Sequence, residues 1–485
     1  MQILNEQRFI CAKVGVMSSK QQLLSQIPAV EILLQRAELE RWTTGIPRRT
    51  LVDSVRAAIE KARTDLLESA TENTSQETLQ QAILEDARNL AEAVAGPFYR
   101  KVINATGIIL HTALGRAVLS KNALRQIETE LTGYSLLQAD IAEGKRSRRD
   151  ARIEQLLQQL TGAEAATVVN NNSAATSIVL NTVANGREVI VSRGQLVEIG
   201  GSFRLPDVMT ASGVKLVEVG TTNKTHARDY EQAITPNTAA ILRVHPSNYK
   251  ISGFTAEVPL EELVRIGHAH GLVVIDDLGA GPLLDFSQFG FDKEPTLRES
   301  VQTGADLITA SADKLIGASQ GGIILGRTNF IEAVRKNPLA RILRVGKLTL
   351  AVLEATLTLF LDESRALQEV PTLQMLCRKL GDITEQADRI AQAIRQHTSE
   401  ASITVIDGFS QMGSGSLPTQ NLATRLVAIQ SNAVESGEIA ARLRRHKPPV
   451  FARVHKGQVL LDPRTVLDGE EQTLVEAAVE ALGET

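Results

Sequence analysis

Lys314 stands in SADKLIGASQGG (311–322), among small and apolar residues, with an acid before it and glycines after. Such a lysine reads in two ways. Its stem can lie along apolar neighbours while the ammonium reaches water, or its amine can be held as a nucleophile of the Schiff-base kind. Three other stretches bear on the choice. GLVVIDDLGAGPLL carries Asp276 and Asp277 at the end of an apolar run. A buried carboxylate is costly without a charged or hydrogen-bonding partner, unless one acid caps the next segment and the other is solvated. ATVVNNNSAATSIVLNTV reads as a strand, a polar turn and a helix, and backbone N–H groups near Asn172 and Ser173 offer a phosphate seat. The plainer alternative there is an N-cap by an asparagine or serine. AILRVHPSNYKISGF ends a strand with His245, Ser247, Asn248 and Tyr249. Ligand groups of open parallel sheets collect at such strand ends, and an Asx-type turn before Gly253 is the other reading.

Phosphate seat, strand-end acid and lysine, in that chain order, form the layout of pyridoxal-phosphate enzymes with the aspartate-aminotransferase fold. A pyridinium nitrogen is a natural partner for the acid, which keeps the ring protonated so that it draws electrons, while the lysine holds the cofactor aldehyde.

The elements that must position these residues follow from the rest of the chain. At 485 residues, with 43% hydrophobic, 22% charged and only 3% aromatic residues, the chain is long enough for two or three domains with aliphatic cores. Residues from about 18 to 95 read as helices: SQIPAVEILLQRAELERW places Pro28 in a first helical turn, and TLVDSVRAAIEKARTDLL keeps a period near 3.6. Beyond Gly96, the runs ATVV, EVIVS, KLVEV, AAILRV, GLVVIDD, DLITAS and GGIILG alternate with helical stretches, the signature of an α/β domain with a mostly parallel sheet. A helical stretch from roughly Leu348 to His397 precedes ITVIDG, TRLVAIQ, PVFARVHKGQVLLD and a final helix. The expected division is a helical domain over 1–95, a large α/β domain over 96–347, and a long linking helix with a small α+β domain over 348–485.

A net charge of −4 argues against a globally basic nucleic-acid binder. Cys11 and Cys377 make neither a disulfide framework nor a zinc site, which fits a reducing cytoplasm. No apolar run reaches bilayer length, the first 20 residues lack a secretory pattern, and Met17 is an alternative start.

The chain resembles the bacterial selenocysteine synthases, the L-seryl-tRNA(Sec) selenium transferases. The resemblance is carried by VINATGIILHTALGRA, EGKRSRR, VVNNNSAAT, VEVGTTNKTH, VHPSNYKISGF, DDLGAG, SADKLIGASQGGIILG, NPLARILRVGKLTLAVLEATL, GSGSLP and LRRHKPPVFARV, and it spans about residues 25 to 466 in the family's order. It implies an enzyme that converts L-seryl-tRNA(Sec) to selenocysteinyl-tRNA(Sec) with selenophosphate, through a pyridoxal-phosphate aldimine and an aminoacrylyl intermediate. It makes Lys314 the aldimine lysine and Asp277, directly before LGAG, the ring-nitrogen acid. Asn172 and Ser173 match the phosphate turn, and Asn248 a contact to the ring hydroxyl. Arg116, Arg149, Arg341 and Arg344 look like selenophosphate ligands, since guanidinium forks match phosphate oxygens. Spaced three apart, Arg341 and Arg344 are expected on one helix face.

The pattern departs from the family at Ala113, Ser147, Arg148, Ser319 and Gly346. The resemblance also implies a dimer-based homo-oligomer and an N-terminal region that holds tRNA. Residues 1–100 carry 12 Lys and Arg against 13 Asp and Glu, so only the stretch with Arg36, Arg41, Arg48, Arg49 and Arg56 offers local positive charge there. Arg442 to Lys447 form a second basic segment. Two other functions stay open on the residues alone. One is a pyridoxal-phosphate lyase or β-replacing enzyme acting on a free amino acid or amino sugar; the other is a non-catalytic tRNA- or cofactor-binding protein.

Overall fold

A computed structural model describes residues 24, 27–40, 42–68, 75–200, 203–417 and 420–483. Cys11, Met17 and Arg41 lie outside them. The chain divides into two compact units, Met1–Lys101 and Val102–Thr485.

The first unit contains helices Val30–Leu39, Arg48–Glu68 and Gln76–Ala95. Leu33, Leu34, Val55, Ile59, Ile83, Leu84 and Ala87 recur at helical spacing and are buried together as its core. Ser75 caps the third helix by accepting the Thr78 N–H at 3.2 Å. Pro28 lies before its helix rather than in the first turn, because Ala29 is still extended and serves as the N-cap.

In the second unit, β1 (Ile103–Ala105) is followed by β2 (Ala165–Val169), β3 (Glu188–Ser192) and a small ribbon of β4 (Glu198–Ile199) and β5 (Phe203–Arg204). Then come β6 (Lys215–Val219), β7 (Thr238–Val244), β8 (Val273–Gly279), β9 (Leu307–Ser311) and β10 (Gly322–Gly326). Seven of these form one sheet in the order β2-β10-β9-β8-β7-β3-β6. β10 runs antiparallel to both neighbours, while the ladders from β9 to β6 are parallel. Both faces are covered by apolar clusters, so the strands read as continuous aliphatic runs. The ends of β7, β8 and β9 bring His245, Asp277 and Lys314 to one edge of the sheet.

β10 packs closely on the turn after β2. A Cβ on Gly322 would lie 2.0 Å from the Asn171 carbonyl oxygen and 3.0 Å from the Asn172 nitrogen. Gly322→Ala must therefore push back the start of the following helix. An overpacking loss of ~1–3 kcal/mol is expected in thermal or denaturant unfolding.

The expected long linking helix is four helices, Lys347–Leu359, Glu363–Glu369, Pro371–Cys377 and Leu380–Arg395. Asp362 interrupts the run by accepting the Ser364 N–H at 3.0 Å, and Pro371, which has no N–H to give, starts a new helix. A five-stranded sheet follows, built from β11 (Ala401–Ser410), β12 (Leu422–Ser431), β13 (Val450–His455) and β14 (Gln458–Leu461), in the order β1-β13-β14-β12-β11. β1 pairs parallel to β13. A chain segment near residue 103 is thus an edge of the C-terminal sheet.

Candidate active site

Strand alternation separates the two neighbouring acids of β8. Asp276 lies on the face of Val274 and Leu278, where Arg243 Nη1 meets its Oδ1 at 2.7 Å and the Ser300 hydroxyl donates to its Oδ2 at 2.6 Å. It is fully buried and fully partnered. Asp277 lies on the opposite face and lines a cavity of about 780 Å³. It accepts from Asn172 Nδ2 at 2.9 Å, from the Thr176 hydroxyl at 2.8 Å and from the Gly279 N–H at 3.0 Å. All three donors are neutral. Burial pushes the Asp277 pKa upward, and the hydrogen bonds offset part of that rise.

Lys314 lines the same cavity, three residues past the end of β9, and is only 6% exposed. Burial depresses its pKa first, and the Arg116 charge adds to that, against the opposing pull of Asp313 and Asp277. The stem-along-the-surface reading of Lys314 therefore does not describe this structure. Asp313 is also buried and takes a 2.7 Å ion pair from Arg116 Nη1.

The helix Asn172–Ala184 begins at the cavity wall. Its N-cap is Asn171, whose Oδ1 accepts the Ala174 N–H at 2.8 Å. The Asn172 side chain is thereby free to reach Asp277, and the first-turn N–H groups of Asn172 and Ser173 remain at the cavity. Asn248 lines it too; its Nδ2 donates to the Glu198 carbonyl at 2.8 Å, and its Oδ1 is buried without a partner. His245 is a cavity residue paired through Nε2 with Glu294 at 2.6 Å.

Arg149, Arg341 and Arg344 are brought together, but at a second cavity of about 290 Å³ rather than the Lys314 cavity, where Arg116 lies. Arg149 donates to the Val345 carbonyl at 3.0 Å and to Gln138 Oε1 at 2.8 Å. Burial and the charges of Arg344, Arg146 and Arg341 pull its pKa down. The expected shared helix face is not found. The helix Leu339–Ile342 ends before Arg344, which is extended and bridges Val169.

Several departures from the family pattern make local bonds. Arg148 pairs with buried Glu154 and with Glu332, the Ser319 hydroxyl donates to the Thr349 carbonyl at 3.2 Å, and Gly346 is the N-cap of the next helix. Of the basic residues in the helical unit, Arg48 pairs with Glu31 and Glu38, Arg49 with Asp53, and Arg36 with Gln80. In the segment from Arg442, both Arg442 and Arg445 reach Glu438.

Thr176 and the Gly413–Leu417 turn were not singled out from the sequence as site residues. Thr176 had a signal: it stands four residues after Asn172, on the same helix face.

A family model described as L-seryl-tRNA selenium transferase matches residues 102–467, and one described as selenocysteine synthase N terminal matches residues 24–63. The chain belongs to the L-seryl-tRNA selenium transferase family. The relative of that name from Alkaliphilus metalliredigens is 43% identical, over 95% of this chain and 98% of its own length. The one from Alkaliphilus oremlandii is 42% identical, over 96% and 100%. Among solved structures, a D-glucosaminate-6-phosphate ammonia-lyase superposes with a TM-score of 0.54 at 22% identity, covering 81% of this chain and 97% of that one. That likeness is one of fold, and the chain has the expected mixed α/β body with a mostly parallel seven-stranded sheet.

Proposed function

We propose that the protein is a pyridoxal-phosphate-dependent L-seryl-tRNA(Sec) selenium transferase, which converts L-seryl-tRNA(Sec) to L-selenocysteinyl-tRNA(Sec) with selenophosphate. The observation that carries this reading is a buried lysine and a buried carboxylate with only neutral donors, sharing one cavity in a chain of this family.

The donor set fits the cofactor. Asp277 lacks a counter-charge among its hydrogen-bond partners, and a protonated ring nitrogen supplies one. The first-turn N–H groups of Asn172 and Ser173 suit its phosphate, and the orphaned Oδ1 of Asn248 suits its ring hydroxyl. When bound, pyridoxal phosphate draws electrons from the substrate Cα and so lets the α-proton and the β-hydroxyl depart.

The chain's own residues do the rest. Burial keeps the Lys314 amine closer to its neutral form, in which it would bond the cofactor aldehyde and serve as the base for the substrate α-proton. Asn172 and Thr176 fix both Asp277 oxygens, so that the carboxylate holds a proton at one ring atom. Asp313 orients Arg116 over the cavity, ready for an anionic donor. We assign Arg149, Arg341 and Arg344 to the same anion. Their separation from Lys314 within one chain supports a dimer-based homo-oligomer in which copies share sites. Arg341→Ala or Arg344→Ala is expected to raise KM for selenophosphate about 10- to 100-fold, the worth of a hydrogen bond to a charged group. The cofactor absorbance is expected to stay unchanged.

The helical unit over 1–95 is assigned to tRNA, with Arg36, Arg48, Arg49 and Arg56 near phosphates and RNA shape as the feature read. Such binding weakens with salt through counterion release. A reducing cytoplasm is the assigned compartment; among the described residues no helix is long and apolar enough to cross a membrane.

The test is the transfer itself. Seryl-tRNA(Sec) is incubated with holoprotein and selenophosphate, and the aminoacyl group is released and identified by mass. Selenocysteine is expected. Unchanged serine, alongside turnover of a free amino acid, would overturn the reading.

A further inference from the structure

We propose that the apolar face of the β4–β5 ribbon, through the Phe203 ring, receives the base of the terminal nucleoside to which the seryl group is esterified. The inference rests on the substrate class proposed above and names the surface that holds its nucleoside.

Strand alternation gives the ribbon two unlike faces. Its register sets Glu198 opposite Arg204 and Ile199 opposite Phe203. On one face Glu198 and Arg204 form an ion pair at 3.3 Å, with both side chains more than half exposed. On the other, Ile199 and Phe203 are cross-strand neighbours, and both line the Lys314 cavity. They back onto the apolar cluster that covers one side of the large sheet, and both are half-buried. The ribbon is tied down at its base. The Leu205 N–H donates to the Val197 carbonyl at 3.0 Å, and Asn248 Nδ2 donates to the Glu198 carbonyl at 2.8 Å.

The cavity is thereby divided by chemistry. Asp277, Lys314, Asn172 and Ser173 are assigned to the cofactor and Arg116 to the anionic donor, all of them polar. Val197, Ile199, Phe203 and Val208 make an apolar wall to the same space, and Phe203 is the one phenyl ring among the described lining residues. At about 780 Å³ the space lies toward the upper end of small-ligand sites.

The chemistry of the substrate says what covers that wall. A seryl group offers an amine, a hydroxyl and an ester, and has little apolar surface of its own. The ribose it is esterified to carries a base, only a few bonds from the acyl carbon that Lys314 must reach. Every base has a π-face that stacks on an aromatic side chain. Ile199 beside the ring widens the platform, and covering both removes apolar surface from water.

Two probes isolate the base: adenosine bearing L-alanine in amide linkage on its ribose, and the same alanyl ribose without a base. Alanine has no β-hydroxyl to eliminate and the amide resists hydrolysis. Holoprotein is titrated with each, following the visible absorbance of the cofactor, so that both Kd values are read without turnover. The adenosine conjugate is expected to bind about 5- to 150-fold more tightly, the worth of one stacked base. Phe203→Leu keeps apolar packing and removes the ring face. It is expected to erase most of that advantage and to leave the baseless conjugate unchanged, whereas Phe203→Tyr should keep the advantage. Equal affinity of the unmodified protein for the two probes overturns the inference. So does an equal loss for both probes in Phe203→Leu, which would place the ring against the cofactor, or an advantage that Phe203→Leu leaves intact. A protein that prefers the adenosine conjugate but transfers no selenium overturns the proposed reaction and not the base site.

Discussion

Replacing Lys314 by alanine is expected to remove selenium transfer by at least ~10³-fold and to remove the cofactor's covalent attachment at the same time. The reason is local. Lys314 is held inside the cavity at the end of β9, with its ammonium destabilised by burial and by Arg116. Alanine provides neither the amine that bonds an aldehyde nor a base for the α-proton. The fold should survive, because the change takes a charge out of a buried site. The measurements are the visible spectrum after gel filtration and single-turnover transfer. Asp276→Ala makes a contrast, since it strands Arg243 in the core of the other sheet face. Leaving a buried charge unpaired costs ~3–5 kcal/mol, so its damage should appear as lost stability.

Asp277→Asn is the second large effect, and it should separate activity from stability. Asparagine keeps the shape, and Asn172 can turn its amide to present its unpartnered Oδ1. What is lost is the negative charge opposite the assigned ring nitrogen. A loss of about 10²- to 10³-fold in transfer is expected, the usual consequence of stripping a buried cation of its partner. Stability should move the other way in the cofactor-free protein. Burial raises the Asp277 pKa above its unfolded value. Its contribution to stability is therefore full below the ordinary carboxylate range and is lost as pH rises through the raised value. The neutral amide escapes that loss. Cofactor-free Asp277→Asn should unfold at the same or a higher temperature than the unmodified protein near neutral pH, and the difference should vanish in acid. A lower temperature at neutral pH would mean that Asp277 is held by a cation the structure does not show.

The strand-end positions were the most legible part of the site. Each falls where an apolar run stops, so the order of seat, acid and lysine could be read before any contact was known. Period-two alternation also explains how adjacent acids acquire different neighbours, although only the folded sheet shows that Arg243 waits on one face and the cavity on the other. The helical run after residue 347 hides its break at Pro371, because its aliphatic periodicity persists through it. Arg341 and Arg344 show the limit of spacing arguments. Three residues apart implies a shared face only if the helix continues, and this one ends at Ile342. The Ser414 turn was least legible. Glycine and serine announce a turn, but neither the sign of φ at Ser414 nor the seating of Gly415 against Asn248 is written in residue types.

The central claim is that Lys314 and Asp277 share one cavity in order to hold pyridoxal phosphate for transfer. Its most direct measurement is borohydride reduction of the holoprotein, followed by proteolysis and mass mapping of the fixed cofactor. The phosphopyridoxyl mass is expected on the peptide containing Lys314 in the unmodified protein and in Asp277→Asn. Cofactor fixed to a different lysine, or to none, would contradict the account.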